Sequence, residues 1–324
     1  MLDRFSADQF KVRTRTAMNG AVLLVGVALI GWTVFDSASV RQAAMHLDLK
    51  NALATPAFGA HLLGTDALGR DLLARVALAL RDTVLPLWGV VFLADVVGML
   101  GGLAAILSGG AGEGDTRNAS AWSRWGVFAG VRVLDVSAAV IAGVPVGILA
   151  FAGAAWREEA GLLPVAAALA AVCCVRGYLL TRDLHRQTRS LAWWTADAAL
   201  GSAPSRRLLR HGVFGAWRRP LLEALGFHLK VAVGIEAALS YLGFGVSEPA
   251  PSLGNMLASH FDLYLKGQWQ ILAVVVVALS LVAALPAATV DLITKATAPR
   301  RRATGRPLDH SSGSLGARPR PQGS

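Results

Sequence analysis

Long apolar runs separated by short charged segments dominate the pattern of hydrophobic and polar positions along this chain. A bilayer core about 30 Å thick takes about 20 helical residues at about 1.5 Å each, and six runs approach that length. Residues 17–35 carry no charge, residues 84–107 carry only Asp95, and residues 136–155 carry none. Residues 162–180 are interrupted by Arg176, and residues 221–242 contain Glu223, Lys230 and Glu236. Residues 271–293 contain Pro286 and end near Asp291, whose side chain can snorkel to water from the last turn. The pattern predicts an all-α polytopic membrane protein with six transmembrane helices.

Composition strengthens this reading. Apolar residues make up 54% of the chain before its 34 glycines are counted, and charged residues only 16%, against about a quarter in soluble domains. That balance argues against a soluble enzyme, a disordered chain and a collagen-like fibre. The formal net charge of +10 does not imply nucleic acid, because the basic residues flank apolar runs. With the N-terminus inside, the cytoplasmic segments hold 23 of the 31 Lys and Arg residues and the opposite side holds 7. Both termini are therefore expected in the cytoplasm. A secretory signal peptide is the rival reading of the first run, but its 19 residues exceed the usual apolar core of about 7–15. The domain reading is a cytoplasmic segment over 1–16, a membrane domain over 17–298 with a basic loop over 176–220, and a disordered tail over 299–324. Arg300, Arg301 and Arg302 in that tail suit anionic lipid head groups.

No catalytic motif emerges. There is no His-Glu-x-x-His, no Gly-x-Ser-x-Gly and no Cys/His cluster with metal spacing, so no metal site is expected. Adjacent Cys173 and Cys174 cannot frame a disulfide fold and read as small buried hydrophobes. The glycine-rich stretch 109–114 lacks the Gly-Lys-Ser/Thr of a phosphate loop and reads as a flexible loop. Asn118-Ala119-Ser120 matches a glycosylation acceptor on the side expected to be cytoplasmic and carries no weight. Of the charges inside the runs, Asp95 either lines a pathway or bonds a neighbouring helix. Lys230 and Glu236 lie nearly opposite on a helix and do not pair. An intramembrane enzyme using Asp95 and Glu236 as acid and base lacks any accompanying nucleophile motif.

The basic loop has its own local physics. Ala196 to Leu200 favours helix, Gly201 can take the left-handed conformation that ends it, and Pro204 suits the first turn of the next. Gly201 is then the hinge of an elbow. In the second helix Leu208 and Leu209 form a small apolar face while Arg206, Arg207 and Arg210 stay wet, an arrangement suited either to solvent or to a partner's groove.

Three separated stretches resemble the permease subunits of binding-protein-dependent ABC importers, specifically the second permease of the dipeptide, oligopeptide and nickel group. His61-Leu-Leu-Gly-Thr-Asp-Ala-Leu-Gly-Arg-Asp-Leu-Leu-Ala-Arg75 matches a signature of the first external loop, through Gly64, Thr65, Asp66, Gly69, Arg70 and Asp71. Glu236 to Pro249, with Gly243, and Pro251 to Ala258, with Gly254 and Asn255, match a second signature. Between them Ala196, Ala199, Leu200, Gly201, Arg206, Arg210 and His211 stand where this group has its ATPase-docking loop, while the literal Glu-Ala-Ala at 236–238 is a decoy. Asp197 replaces a usual small residue, and Phe214 replaces a proline.

The resemblance implies a permease, itself not an enzyme, in a bacterial or archaeal plasma membrane. It would work by alternating access with a second homologous permease, two ATPases and an extracytoplasmic binding protein. ATP and Mg would reside in the partner subunits, with no cofactor and no nucleic acid on this chain. Peptide is the default substrate, with nickel or another small solute as alternatives. In that scheme Leu208 and Leu209 enter the ATPase groove, Arg206, Arg207 and Arg210 fix register, and Glu236 holds the external loop. A permease-derived scaffold without ATPase coupling is the rival, suggested by Asp197, Phe214 and a divergent last helix.

Overall fold

The structure, a computed structural model, describes residues 17–32, 37–59, 61–114 and 161–297. The regular elements among the described residues are helices, joined by two isolated β-bridges, Ala57 with His61 and Thr65 with Asp71. The chain runs through α1 (Ala17–Trp32) and α2 (Ser37–Met45) into a short turn of 3₁₀ helix at Leu49–Asn51. Helix α3 (Leu72–Ala79) continues through a π-helical turn, Leu80–Val84, into α4 (Leu85–Gly114). After α5 (Leu162–Arg189) come α6 (Ala192–Ala199), α7 (Pro204–Arg207) and a π-helical stretch, Leu208–Ala216. Helices α8 (Arg218–Tyr241), α9 (Leu253–Leu265) and α10 (Trp269–Ala296) complete the order.

Three continuous helices, Leu72–Leu107, Leu162–Arg189 and Trp269–Ala296, are long and apolar enough to cross a membrane. Helix α1 is apolar but shorter, and α8 has the length without the apolar composition. The charges of α8 are each accommodated locally. Glu223 accepts from Arg219 at 2.8 Å, Lys230 lies 5.5 Å from the Phe227 ring centre, and Glu236 accepts from Ser240 Oγ at 2.7 Å. The expected run at 136–155 and the tail at 299–324 lie outside the described residues, as does the asparagine triplet at 118–120.

Two boundaries are corrected. The second expected helix starts at Leu72 instead of 84, because the Asp71 side chain caps it by accepting from Ala74 N at 2.9 Å. The glycines at 109–114, expected as a loop, continue α4. Each costs about 1 kcal/mol relative to alanine, too little to stop a helix already nucleated.

Packing falls into layers along the helices. Leu72, Val76, Leu80 and Val84 meet Val233, Leu253, Met256, Val275 and Val282, tying α3 to α8, α9 and α10. Leu87 and Val91 meet Val165, Leu169 and Ala232, tying α4 to α5 and α8. The α4–α5 contact depends on glycine: a Cβ at Gly98 would overlap the Cys174 backbone, and one at Gly102 would crowd the Tyr178 carbonyl and Thr181. From the facing side, a Cβ at Gly177 would crowd the Asp95 carbonyl. Glycines one turn apart let apolar helices approach closely enough for backbone packing to hold them. Helix α1 leans on α10, with Gly26 under Leu285 and Asn19 Nδ2 donating to Asp291 Oδ2 at 2.8 Å.

Candidate functional site

Most of the residues singled out from sequence gather at two places. The first is a junction where the α2–α3 connection meets the end of α8 and the start of α9. Asp66, buried, accepts from Leu68 N and Arg70 N at 2.9 Å and from Arg70 Nε at 2.6 Å, while Arg75 Nε lies 3.9 Å away. Glu248, from the α8–α9 connection, reaches Arg70 at 3.4 Å and Arg75 at 3.3 Å. Two cations and two carboxylates thus close a charge-balanced network that pins one loop to the other. Burying a charge is costly unless it is paired, and Arg75 is paired through Nη2 on Glu248 while its Nε and Nη1 make no hydrogen bond.

The surrounding residues shape the backbone for that network. Thr65 Oγ1 donates to Asn51 O and accepts from Ala54 N at 2.8 Å, and Asp71 pairs with His61 Nδ1 at 2.8 Å. Gly69, at φ +76°, passes so close to Asp48 that a Cβ would overlap its carbonyl. On the other loop, Gly243 at φ +85° ends α8, and Phe244 N returns to Leu239 O at 2.8 Å. Glu236 is held by Ser240, whose hydroxyl also accepts from Val246 N at 3.0 Å. Ser252 and Asn255 form a reciprocal capping box at the start of α9. Asn255 Nδ2 also donates to Ala250 O at 2.7 Å, and a Cβ at Gly254 would overlap the Ala237 carbonyl. His260 is buried beside this network, and that burial, with Arg75 and Arg70 nearby, holds its imidazole below the ordinary value of 6.5.

The second place is the elbow between α5 and α8. Helix α6 ends at Ala199, Gly201 takes φ +80°, and Pro204 opens α7, as the local residue preferences predict. Behind the elbow lies an aromatic anchor in which Trp194, Leu208 and Trp217 pack with Ile106 of α4. Trp217 Nε1 donates to Thr188 Oγ1 at 2.7 Å, and His185 stands edge-on to Trp194 and Trp217 at 5.5 and 6.0 Å. The front face is exposed and apolar. Leu200 is 84%, Phe214 73% and Leu209 45% exposed, and Leu209 and Phe214 line a shallow depression with Ser205, Arg206 and Arg210.

The structure redistributes the expected roles within this loop. Leu208, expected beside Leu209 on the open face, is buried in the aromatic anchor because the π-helical stretch turns it inward. Arg207, expected to stay wet, lies 5.4 Å from the Trp194 ring centre as a cation–π contact. Asp197 is no misfit: its Oδ1 accepts from Ser202 Oγ at 3.0 Å across Gly201, and Oδ2 lies 4.0 Å from His211 Nε2. The Ser202 bond braces the elbow across Gly201. Ala196 and Ala199 sit exposed on α6.

A third grouping joins Asp95, legible in sequence as a charge within an apolar run, to a histidine that had no signal in local sequence. Asp95 of α4 and His228 of α8 are buried and bonded, with Nδ1 2.8 and 3.0 Å from the two carboxylate oxygens. Of the two roles open to Asp95, bonding a neighbouring helix is the one the geometry displays.

No family model matches the chain. Among curated proteins it is 31% identical over 212 residues to the di/tripeptide transport system permease protein DppC of Pseudomonas aeruginosa, covering 65% of this chain and 63% of that protein. It is 25% identical over 257 residues to the oligopeptide transport system permease protein OppC of Bacillus subtilis, covering 79% and 77%. A dipeptide transport system permease protein DppC of Haemophilus influenzae is 26% identical over 286 residues, covering 84% and 86%. The match to the Pseudomonas protein therefore spans somewhat under two thirds of that relative's length.

Proposed function

We propose that the chain, which is similar to permeases of peptide transport systems, is one of two membrane subunits of an ATP-driven importer whose cytoplasmic elbow docks onto an ATPase. The observation that carries this reading is the exposed apolar face of Leu200, Leu209 and Phe214, flanked by Arg206 and Arg210 and braced from behind by Trp194 and Trp217. Burying Leu209 and Phe214 in a groove stabilises a complex by about 1.5–3 kcal/mol per side chain, while the arginines fix register by charge. A rigid backing lets motion of an ATPase pass into α5 and α8. The subunit hydrolyses nothing itself, and ATP and Mg are bound by the partners.

On this reading the junction around Asp66 and Glu248 lies on the outer side, where it holds the loops that a substrate-loaded binding protein approaches. The substrate is a di- or oligopeptide, and transport proceeds by alternating access with a second permease. Reconstituting the complex in vesicles with Gly201→Val tests the elbow. A β-branched residue at φ +80° strains the backbone without touching any neighbour. Membrane insertion persists, peptide uptake is lost, and ATP hydrolysis no longer responds to the binding protein. Uptake at the unaltered rate would remove the elbow from the mechanism.

A further inference from the structure

We propose that Asp95, Cys173 and His228 form a binding site for a divalent ion of the zinc class within the helix bundle. The three residues come from α4, α5 and α8, all are buried, and one donor atom from each lies within 4.8 Å of the others. A carboxylate oxygen, an imidazole nitrogen and a sulfur are the mixed donor set that tetrahedral Zn²⁺ accepts, whereas Mg²⁺ and Ca²⁺ require oxygen donors throughout. Donors about 2.0–2.3 Å from a tetrahedral ion stand roughly 3.3–3.8 Å apart, which small side-chain rotations reach from the present arrangement.

The bond between Asp95 and His228 joins α4 and α8, and the Cys173 sulfur, in the same apolar cluster as Leu87, Val91 and Leu169, adds a donor from a third helix. Cys173 is brought within donor reach by the glycine contacts of α5 on α4, where Gly177 lies against the Asp95 backbone. Charge also balances. With the Asp95 carboxylate, the Cys173 thiolate and a neutral His228 imidazole as ligands, the two negative ligands cancel the charge of the ion, and the loaded site is neutral in a low-dielectric interior. The ion ties three helices that sequence separates widely, and so stabilises the bundle by mass action.

The test uses the full chain in mild detergent, purified with a histidine-free tag, equilibrated with Zn²⁺ and freed of excess metal. About one Zn²⁺ per chain is retained, Mg²⁺ is not, and the melting temperature rises with Zn²⁺. Cys173→Ser, which leaves the Asp95–His228 bond intact, weakens retention at least ~10-fold and abolishes the Zn²⁺-dependent rise in melting temperature. Cd²⁺ in place of Zn²⁺ gives a thiolate charge-transfer band that Cys173→Ser removes and Cys174→Ser keeps. His228→Gln weakens binding likewise, and if that variant does not fold, Cys173→Ser decides alone. Absence of Zn²⁺ retention, or retention equal in wild type and Cys173→Ser, overturns the site.

Discussion

The junction around Asp66 and the elbow around Gly201 were both singled out from sequence, yet they treat their distinctive residues in opposite ways. At the junction the polar residues turn inward: Asp66, Thr65, Glu236, Ser252 and Asn255 are buried and their hydrogen bonds are spent on one another or on nearby backbone. At the elbow the apolar residues turn outward, with Leu200, Leu209 and Phe214 left to solvent while tryptophans hold the backbone behind them. A buried polar network whose partners lie within the chain specifies architecture. An exposed apolar face on a rigid support specifies a partner. The junction should therefore fail in stability when altered, and the front of the elbow should fail in binding.

The largest effect expected is at Asp66. Asp66→Ala leaves Arg70 and Arg75 buried without their shared carboxylate, a loss of about 3–5 kcal/mol. Pulse-chase in membranes reports it as rapid loss of the chain. Survival with an unchanged protease pattern would mean that Glu248 alone neutralises both arginines.

Next is the anchor behind the elbow. Trp217→Phe keeps an aromatic ring but removes part of the buried indole with its Nε1 donor to Thr188, so a cavity cost adds to the about 1–3 kcal/mol of the lost hydrogen bond. Lower melting temperature with loss of ATPase binding sharpens the contrast, because the anchor has both duties. An unchanged melting temperature would mean that neither the Thr188 bond nor the full indole anchors the elbow.

Acidity gives a smaller, signed effect. His260 is neutral when folded and its value is lowered by burial, so the unfolded chain takes up a proton first as pH falls. The stability it contributes is present above its ordinary value of 6.5 and is lost progressively below it. Limited proteolysis of the α8–α9 connection should therefore quicken as pH drops through that value, and His260→Gln should flatten the dependence. Identical profiles in the two proteins would remove His260 from the junction's pH response.

The smallest effect on stability belongs to the front of the elbow. Leu209→Ala with Phe214→Ala removes only exposed groups and should leave the melting temperature within about 0.5 kcal/mol equivalent of wild type.

What sequence made legible follows the range of the forces involved. The Gly201 elbow and Pro204 start were readable because left-handed glycine and first-turn proline act within a few residues. Long apolar helices were readable because their signal accumulates over many positions. The inward turn of Leu208 was not, since it depends on Ile106 and Trp217 closing over it from other helices. Asp197 looked like a departure because its partners, Ser202 and His211, become neighbours only after the elbow folds. The Asp95–Cys173–His228 grouping lay on three helices with no fixed spacing to announce it.

The most direct test of the difference between the two regions is a mild-detergent pull-down from native membranes, comparing wild type with Leu209→Ala/Phe214→Ala. The wild-type chain is expected to bring down a second permease and ATPase subunits, and the double variant to keep the permease while losing the ATPases. Equal recovery of ATPases by both, or recovery of the wild-type chain alone, would contradict the assignment of the exposed elbow to ATPase docking.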